Sequence, residues 1–339
     1  MSDWTEADVP SQRGRLAIVT GASGGIGQCT ALGLARAGAE LILASRSETN
    51  ARATLDQIGV QAPGARARFE LLDLASLSSV RAFAARMRLL PKVDLLVNNA
   101  GTFTPRRLLT EDRFERSLAT NYLGPFALTL GLMPVLLRSP CPRVTTVSSL
   151  AANQGGRGID FESLTGEGSY HARGAYGQSK LADLMFALEL GRRAAAQGLP
   201  LISNACQPGL ARTNLQSGGK GRPPWAGVRF LMHFVAQDAE HGALSTLRAA
   251  TDPAATSGSY YGPDRELKGF PVLCEIPPPA LDAIARTRLW ELSERLTATR
   301  WEFGSTGSST PSREQEPATL SSRSRDGGST WSSNESPIG

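Results

Sequence analysis

The chain has 339 residues, 41% of them hydrophobic and 20% charged, with a net charge of +5. That is enough apolar material for one large globular domain or two ordinary ones. The basic residues are scattered, so the excess of charge does not form the patch a nucleic-acid reader needs. The first fourteen residues are polar and carry acids, unlike a signal peptide. No stretch approaches the roughly 18 uninterrupted apolar residues of a membrane span.

From Arg15 onward, short apolar strands alternate with helical stretches. "RLAIVTG" reads as a buried strand, and "GQCTALGLARAGA" as a helix with small residues on one face. "ELILASR" is a second strand, followed by a helix around Ala51–Ile58. "ARFELLDL" is a third strand, "SLSSVRAFAARMRL" a helix and "VDLLVNNAG" a fourth strand. A long helix through Asn121 comes next, then the strand "RVTTVSS", a helix around Tyr176–Arg193 and the strand "LISNACQPG". Continuous apolar strands separated by helices predict an α/β fold, a single doubly wound parallel sheet of Rossmann type with helices on both faces. "GPFALTLGLMPVLL" (Gly124–Leu137) reads as a buried or interface helix.

Three regions divide the chain. Residues 1–13 are expected to be a flexible arm, and residues 14–303 the globular domain. Residues 304–339 hold eleven serines and few apolar side chains. Such a segment cannot bury enough surface to offset its ordering entropy, so a disordered tail is expected.

The first strand runs into "TGASGGIGQCTA", which spaces Gly21, Gly25 and Gly27 between a strand and a helix. Such a turn lets backbone N–H groups approach a pyrophosphate, with the positive helix end behind them. The second strand ends in Ser45-Arg46 rather than in an acid. An acid there favours NAD, and an arginine accommodates the 2′-phosphate of NADP. NADPH is therefore the expected cofactor, with Glu48 as the alternative acidic residue. Cys29, Cys141, Cys206 and Cys274 form no C-x-x-C pair, which suits a reduced, cytoplasmic compartment without a zinc or dithiol site. His171, His233 and His241 do not cluster, and no metal site is expected.

"YGQSK" places Tyr176 and Lys180 one helical turn apart. With the motifs before it, the chain resembles the short-chain dehydrogenases/reductases over roughly residues 14–300. "TGASGGIG", with Ser23 and Ile26 between its glycines, resembles the family's cofactor loop. Asp73-Leu74 resembles its adenine-contacting turn, and "NNAG" (Asn98–Gly101, hence Asn99, Ala100 and Gly101) its segment beside the cofactor. "PGLART", with Pro208, Gly209 and Thr213, resembles the loop at the nicotinamide carboxamide. The resemblance implies a catalytic set of Asn121, Ser149, Tyr176 and Lys180. Tyr176 would exchange a proton with the substrate oxygen, helped by the Lys180 ammonium, which also holds the nicotinamide ribose. Ser149 would hydrogen-bond the substrate, and Asn121 would link Lys180 to solvent through water.

The 26 residues between Ser149 and Tyr176, together with "SGSYYGPDRELKGFP", resemble the retinol-dehydrogenase-like and protochlorophyllide-reductase-like branch. A loop and apolar helix over about residues 213–237, with Trp225, Phe230, Met232 and Phe234, predict a hydrophobic aldehyde, ketone or alcohol as substrate. In many relatives the helices carrying Asn121 and Tyr176 form a dimer interface, so a homodimer is the expected assembly. An NADPH-binding redox sensor or scaffold without turnover is the alternative reading, although such proteins usually lack an intact Tyr/Lys pair.

Overall fold

The structure, a computed structural model, describes residues 3–165, 170–210 and 237–302. Eight strands form one sheet: β1 (Leu16–Thr20), β2 (Glu40–Ser45), β3 (Ala67–Leu71), β4 (Leu95–Asn98), β5 (Arg143–Val147), β6 (Ile202–Cys206), β7 (Tyr260–Arg265) and β8 (Lys268–Leu273). Their spatial order is β3-β2-β1-β4-β5-β6-β7-β8. All pairings are parallel except the antiparallel β7–β8 hairpin. The order reverses between β1 and β4, and a crevice forms outside the carboxyl ends of the strands at such a switch point.

The helices are α1 (Gly25–Arg36), α2 (Glu48–Gln61), α3 (Leu77–Met87), α4 (Arg116–Leu118), α5 (Gly124–Leu136), α6 (Ala172–Ala196), α7 (Ala239–Thr251), α8 (Pro278–Leu281) and α9 (Ala283–Thr297). Ser47, Ser76 and Asp282 accept backbone N–H groups at the starts of α2, α3 and α9. Side-chain oxygens at these positions satisfy amides that the helix itself leaves without partners.

Alternation along the strands separates two cores. Ile18, Ile42 and Leu96 face one side with α3, α5 and α6, while Ala17, Val19, Leu41 and Leu43 face the other with α1 and α7. On the first side α5 is covered from within the chain. Trp290 of α9 lies 5.0 Å, ring to ring, from Phe126 of α5, stacks on Phe186 of α6 at 5.9 Å and meets Trp301 at 5.8 Å.

Two expectations meet the structure differently. The arm expected to be loose is packed over residues 3–13. Trp4 and Val9 lie against the second core, Glu6 pairs with Arg36 at 2.8 Å, and the Gln12 backbone N–H donates to the Ala37 carbonyl. Two apolar side chains in a polar stretch were enough to seat it. The tail over 304–339, and nearly all of the expected substrate loop and helix, lie outside the described residues.

Candidate active site

Six motifs fall at the carboxyl ends of six neighbouring parallel strands. Gly21 follows β1, Arg46 follows β2, Asp73-Leu74 closely follows β3, Asn99–Gly101 follow β4, Ser148-Ser149 follow β5 and Gln207–Gly209 follow β6.

The β1–α1 turn is built around glycine. Gly21 has φ +66° and Gly25 φ +57°, left-handed values that glycine adopts without strain. A Cβ on Gly21 would stand 2.8 Å from Ala100 Cα, and one on Gly27 would overlap the Asn99 amide. Gly24, by contrast, faces open space. Ser23 and Ile26 are half-buried on the same turn. A knot of hydrogen bonds fixes this arrangement. Thr20 Oγ1 accepts from the Asn99 and Ala100 backbone N–H groups, each at 3.0 Å, and Asn99 Nδ2 donates to the Thr20 carbonyl at 2.8 Å.

Arg46 is exposed just past β2, and Ser45 is buried. Glu48, the alternative acid, is engaged by Arg52 at 2.7 Å. Asp73 Oδ1 accepts the Ala75 N–H at 2.9 Å, which closes the turn that buries Leu74.

Between α4 and α5 the chain makes a π turn over Ala119–Leu123 that includes Asn121. Such one-turn bulges gather at functional sites because they redirect side chains out of the regular ladder. Asn121 Oδ1 accepts the Thr102 N–H at 2.7 Å, while its Nδ2 donates to the Thr102 carbonyl at 3.0 Å and to Ser179 Oγ at 2.9 Å. It thereby clamps the segment after Gly101 to α6. A Cβ on Gly101 would lie 3.5 Å from both Asn121 Oδ1 and Lys180 Nζ, so these two groups converge on the same glycine.

Tyr176 is half-buried on the first turns of α6, its ring edge-on to Phe103 at 5.8 Å. Lys180 is buried; its Nζ donates to the Val147 carbonyl at 2.9 Å and to Asp183 Oδ2 at 2.7 Å. Burial alone would depress the Lys180 ammonium. The Asp183 carboxylate, then Tyr176, outweigh that cost, and the group titrates above its ordinary range. Ser148 and Ser149 divide their tasks. Ser148 is buried and donates to the Lys180 carbonyl at 2.7 Å, whereas half-buried Ser149 caps the following 3-10 turn by accepting the Ala151 N–H at 3.2 Å.

At the far side of the crevice, Gly209 has φ +65° and no room for a Cβ against the Leu267 carbonyl. Gln207 and Gln237 hold this loop. Gln207 Oε1 accepts the Gly209 N–H at 2.6 Å, and Gln237 Nε2 donates to the Pro208 carbonyl at 2.6 Å. Thr213 lies outside the described residues, as do His233 and the apolar side chains from Trp225 to Phe234. His171 is exposed at the start of α6, and His241 bonds to Asp238 at 3.1 Å.

Part of the insertion before Tyr176 docks beside the site. Ile159 and Leu164 are buried, and the Tyr170 hydroxyl meets Thr104 Oγ1 at 2.9 Å and Glu115 Oε1 at 3.1 Å. Asp183, Phe103 and the Thr20 knot are not marked by any motif in the sequence. For Asp183 the available signal was an acid three residues past the motif lysine, on the same helix face.

A doubly wound sheet with a glycine turn at its switch point and a Tyr–Lys pair on the β5–β6 crossover helix has the architecture of a dinucleotide-dependent oxidoreductase. The short chain dehydrogenase family profile matches residues 15–220, and the chain belongs to that family of oxidoreductases, which act on CH–OH or C=O groups with a nicotinamide cofactor. It falls in the retinol-dehydrogenase-like branch. The polyprenol dehydrogenase of Mus musculus is 39% identical over 302 residues, 87% of either chain. Retinol dehydrogenase 14 of Homo sapiens is 35% identical over 301 residues, 83% of this chain and 85% of that one. A Beutenbergia cavernae structure described as an NAD(P)-dependent gluconate 5-dehydrogenase, with NADP bound at low occupancy, is 25% identical. It covers 74% of this chain and 96% of its own, with a TM-score of 0.60. Among the described residues, no helix is long and apolar enough to cross a membrane, and no cluster of His, Cys, Asp or Glu is arranged to hold a metal.

Proposed function

We propose that this protein transfers a hydride between NADPH and a hydrophobic carbonyl or alcohol, with Tyr176 as the proton donor and acceptor. The observation that carries the reading is the convergence of Asn121 and Lys180 on Gly101, one helical turn from Tyr176. The residues suit a dinucleotide. Gly24 leaves open space at the start of α1, Gly21 and Gly27 bring the backbone close, and exposed Arg46, just past β2, is the residue that would take a 2′-phosphate. When bound in this crevice, a nicotinamide cofactor would supply or take up the hydride.

This chain's own residues handle the proton. As a carbonyl is reduced, negative charge develops on its oxygen and needs a donor within hydrogen-bond reach. Tyr176 gives that proton, and Ser149 donates a second hydrogen bond to the same oxygen. Lys180 favours the phenolate by its charge. Asn121, clamped to Thr102 and Ser179, would link Lys180 to water that carries the proton onward.

Polyprenol and retinol, named for two relatives, are apolar alcohols, which favours an isoprenoid-like alcohol or its aldehyde. A homodimer paired over α5 and α6 would meet α9, whose Trp290 packs on both helices, as part of its interface. Four thiols outside any disulfide suit a reducing compartment such as the cytoplasm.

The test follows NADPH absorbance with apolar aldehydes and ketones. Tyr176→Phe should cut turnover by about 100- to 10,000-fold while cofactor binding persists. Arg46→Ala should erode the preference for NADPH over NADH by about tenfold, the scale of one charge-assisted hydrogen bond. Tight NADPH binding with no turnover of any substrate would instead support the sensor reading.

A further inference from the structure

The Lys180 ammonium has a partner that the Tyr–Lys motif does not include. Asp183 Oδ2 accepts a hydrogen bond from Lys180 Nζ at 2.7 Å, and the two side chains are only 2% and 4% exposed. The other carboxylate oxygen, Oδ1, is buried and has no hydrogen-bond partner among the described residues. A buried ion pair is weak ground for stability, because desolvating two charges offsets most of their attraction. Its effect on Lys180 is the more informative property.

The titratable groups facing this pair come from three elements. On α6 they are Tyr176 and Asp183, on β6 the Cys206 thiol faces Lys180, and in the π turn Tyr122 faces Asp183. Burial pushes Cys206 up to about 12 and lifts the Tyr122 phenol above its usual range, so both are neutral near neutral pH. Asp183 is therefore the carboxyl group set against Lys180. Burial pushes it up to about 7 against the pull of the ammonium. An ammonium 2.7 Å from a carboxylate acts on Tyr176 as a dipole rather than as a bare charge.

We propose that Asp183 is a positioning residue for the proton-handling pair: it holds the Lys180 ammonium at the end of β5, offsets its charge, and so sets the pH at which the Tyr176 phenol releases its proton. The proposal rests on Tyr176 being the group that exchanges the proton.

The test needs neither cofactor nor substrate. Phenolate absorbance is titrated in the protein and in Tyr176→Phe, and the difference isolates the step that belongs to Tyr176. The same difference is taken in an Asp183→Asn background, which keeps an acceptor for Lys180 but removes the charge. The expected result is a step about one pH unit lower, the low end of what a neighbouring charge produces. Asp183→Glu, which keeps the charge, should hold the step close to the parent.

Coupling between two sites is reciprocal. The Asp183 carboxyl carbon, followed by NMR, should therefore register the Tyr176 step in its chemical shift, and that inflection should vanish in Tyr176→Phe, a measurement that does not depend on Asp183→Asn folding. A Tyr176 step at the same pH in both backgrounds overturns the proposal. So does an Asp183 carboxyl signal with no inflection belonging to Tyr176, since Asp183 would then be a packing residue. If no substrate is turned over, these readouts still decide the matter. If Tyr176→Phe abolishes turnover while the step stays fixed, only the role of Asp183 falls.

Discussion

The side-chain amide of Asn99 occupies the space above Gly27 and donates to the Thr20 carbonyl at 2.8 Å. The glycine turn and the segment after β4 are therefore one interlocked unit, and a methyl group on Gly27 would separate them. Gly27→Ala should cost about 1–3 kcal/mol, the usual scale of overpacking. The loss should appear mainly as weaker NADPH binding in a fluorescence titration. An unchanged dissociation constant would show that the turn can open without consequence for the cofactor.

Gln207 fastens the loop after β6 to the β7–β8 hairpin through the Gly209 N–H and, at 3.4 Å, the Glu266 carbonyl. Gln207→Leu leaves the half-buried Gly209 N–H and the exposed Glu266 carbonyl without this partner, at a cost of about 1 kcal/mol. The KM for NADPH should rise with little loss of kcat, because the loop is displaced but Tyr176 and Lys180 are not. Steady-state kinetics separate the two parameters.

Trp290 is 1% exposed, and its ring also lies 4.5 Å from the Arg193 guanidinium. Trp290→Ala should destabilise the protein by about 3–5 kcal/mol, as measured by urea unfolding. Trp290→Phe, which keeps an aromatic face toward Phe126 and Phe186, should retain the larger share.

Asp183 also makes a prediction about stability against pH. Its ordinary value is 3.8, and in the fold it is pushed up to about 7 by burial. Between those values the folded chain holds a proton that the unfolded chain has released. The contribution of this group to stability is therefore full below the lower value and is lost as pH rises through the upper one. Unfolding midpoints taken across that window should fall with rising pH, and Asp183→Asn should flatten that part of the curve.

Much of the site was legible because its residues sit beside strands whose apolar runs are unambiguous. Gly21, Asn99, Ser149 and Pro208 each follow such a run, so locating the strands locates the crevice. The anchoring roles of Gln207 and Gln237 were not legible, because both act on the backbone at Pro208 and Gly209 and nothing local marks either as an anchor. The β7–β8 hairpin was hidden for a different reason. Its turn residue with positive φ is Glu266, at +56°, where a glycine or asparagine would have announced the turn. Asp183 was overlooked because an acid three residues from a lysine on a helix usually faces solvent. Only the packing of α6 against β5 and β6 shows that this pair is dry. The packing of residues 3–13 is not legible in composition, which weighs the acids there equally with Trp4 and Val9.

The aromatic cluster around Trp290 has a consequence for how the chain is made. The ribosome delivers Phe126 and Phe186 long before it delivers α9, so the apolar faces of α5 and α6 are complete while their cover is still being synthesised. Until Trp290 emerges, those faces lack the cover that its ring gives them, so this side of the core cannot close before α9 has been made.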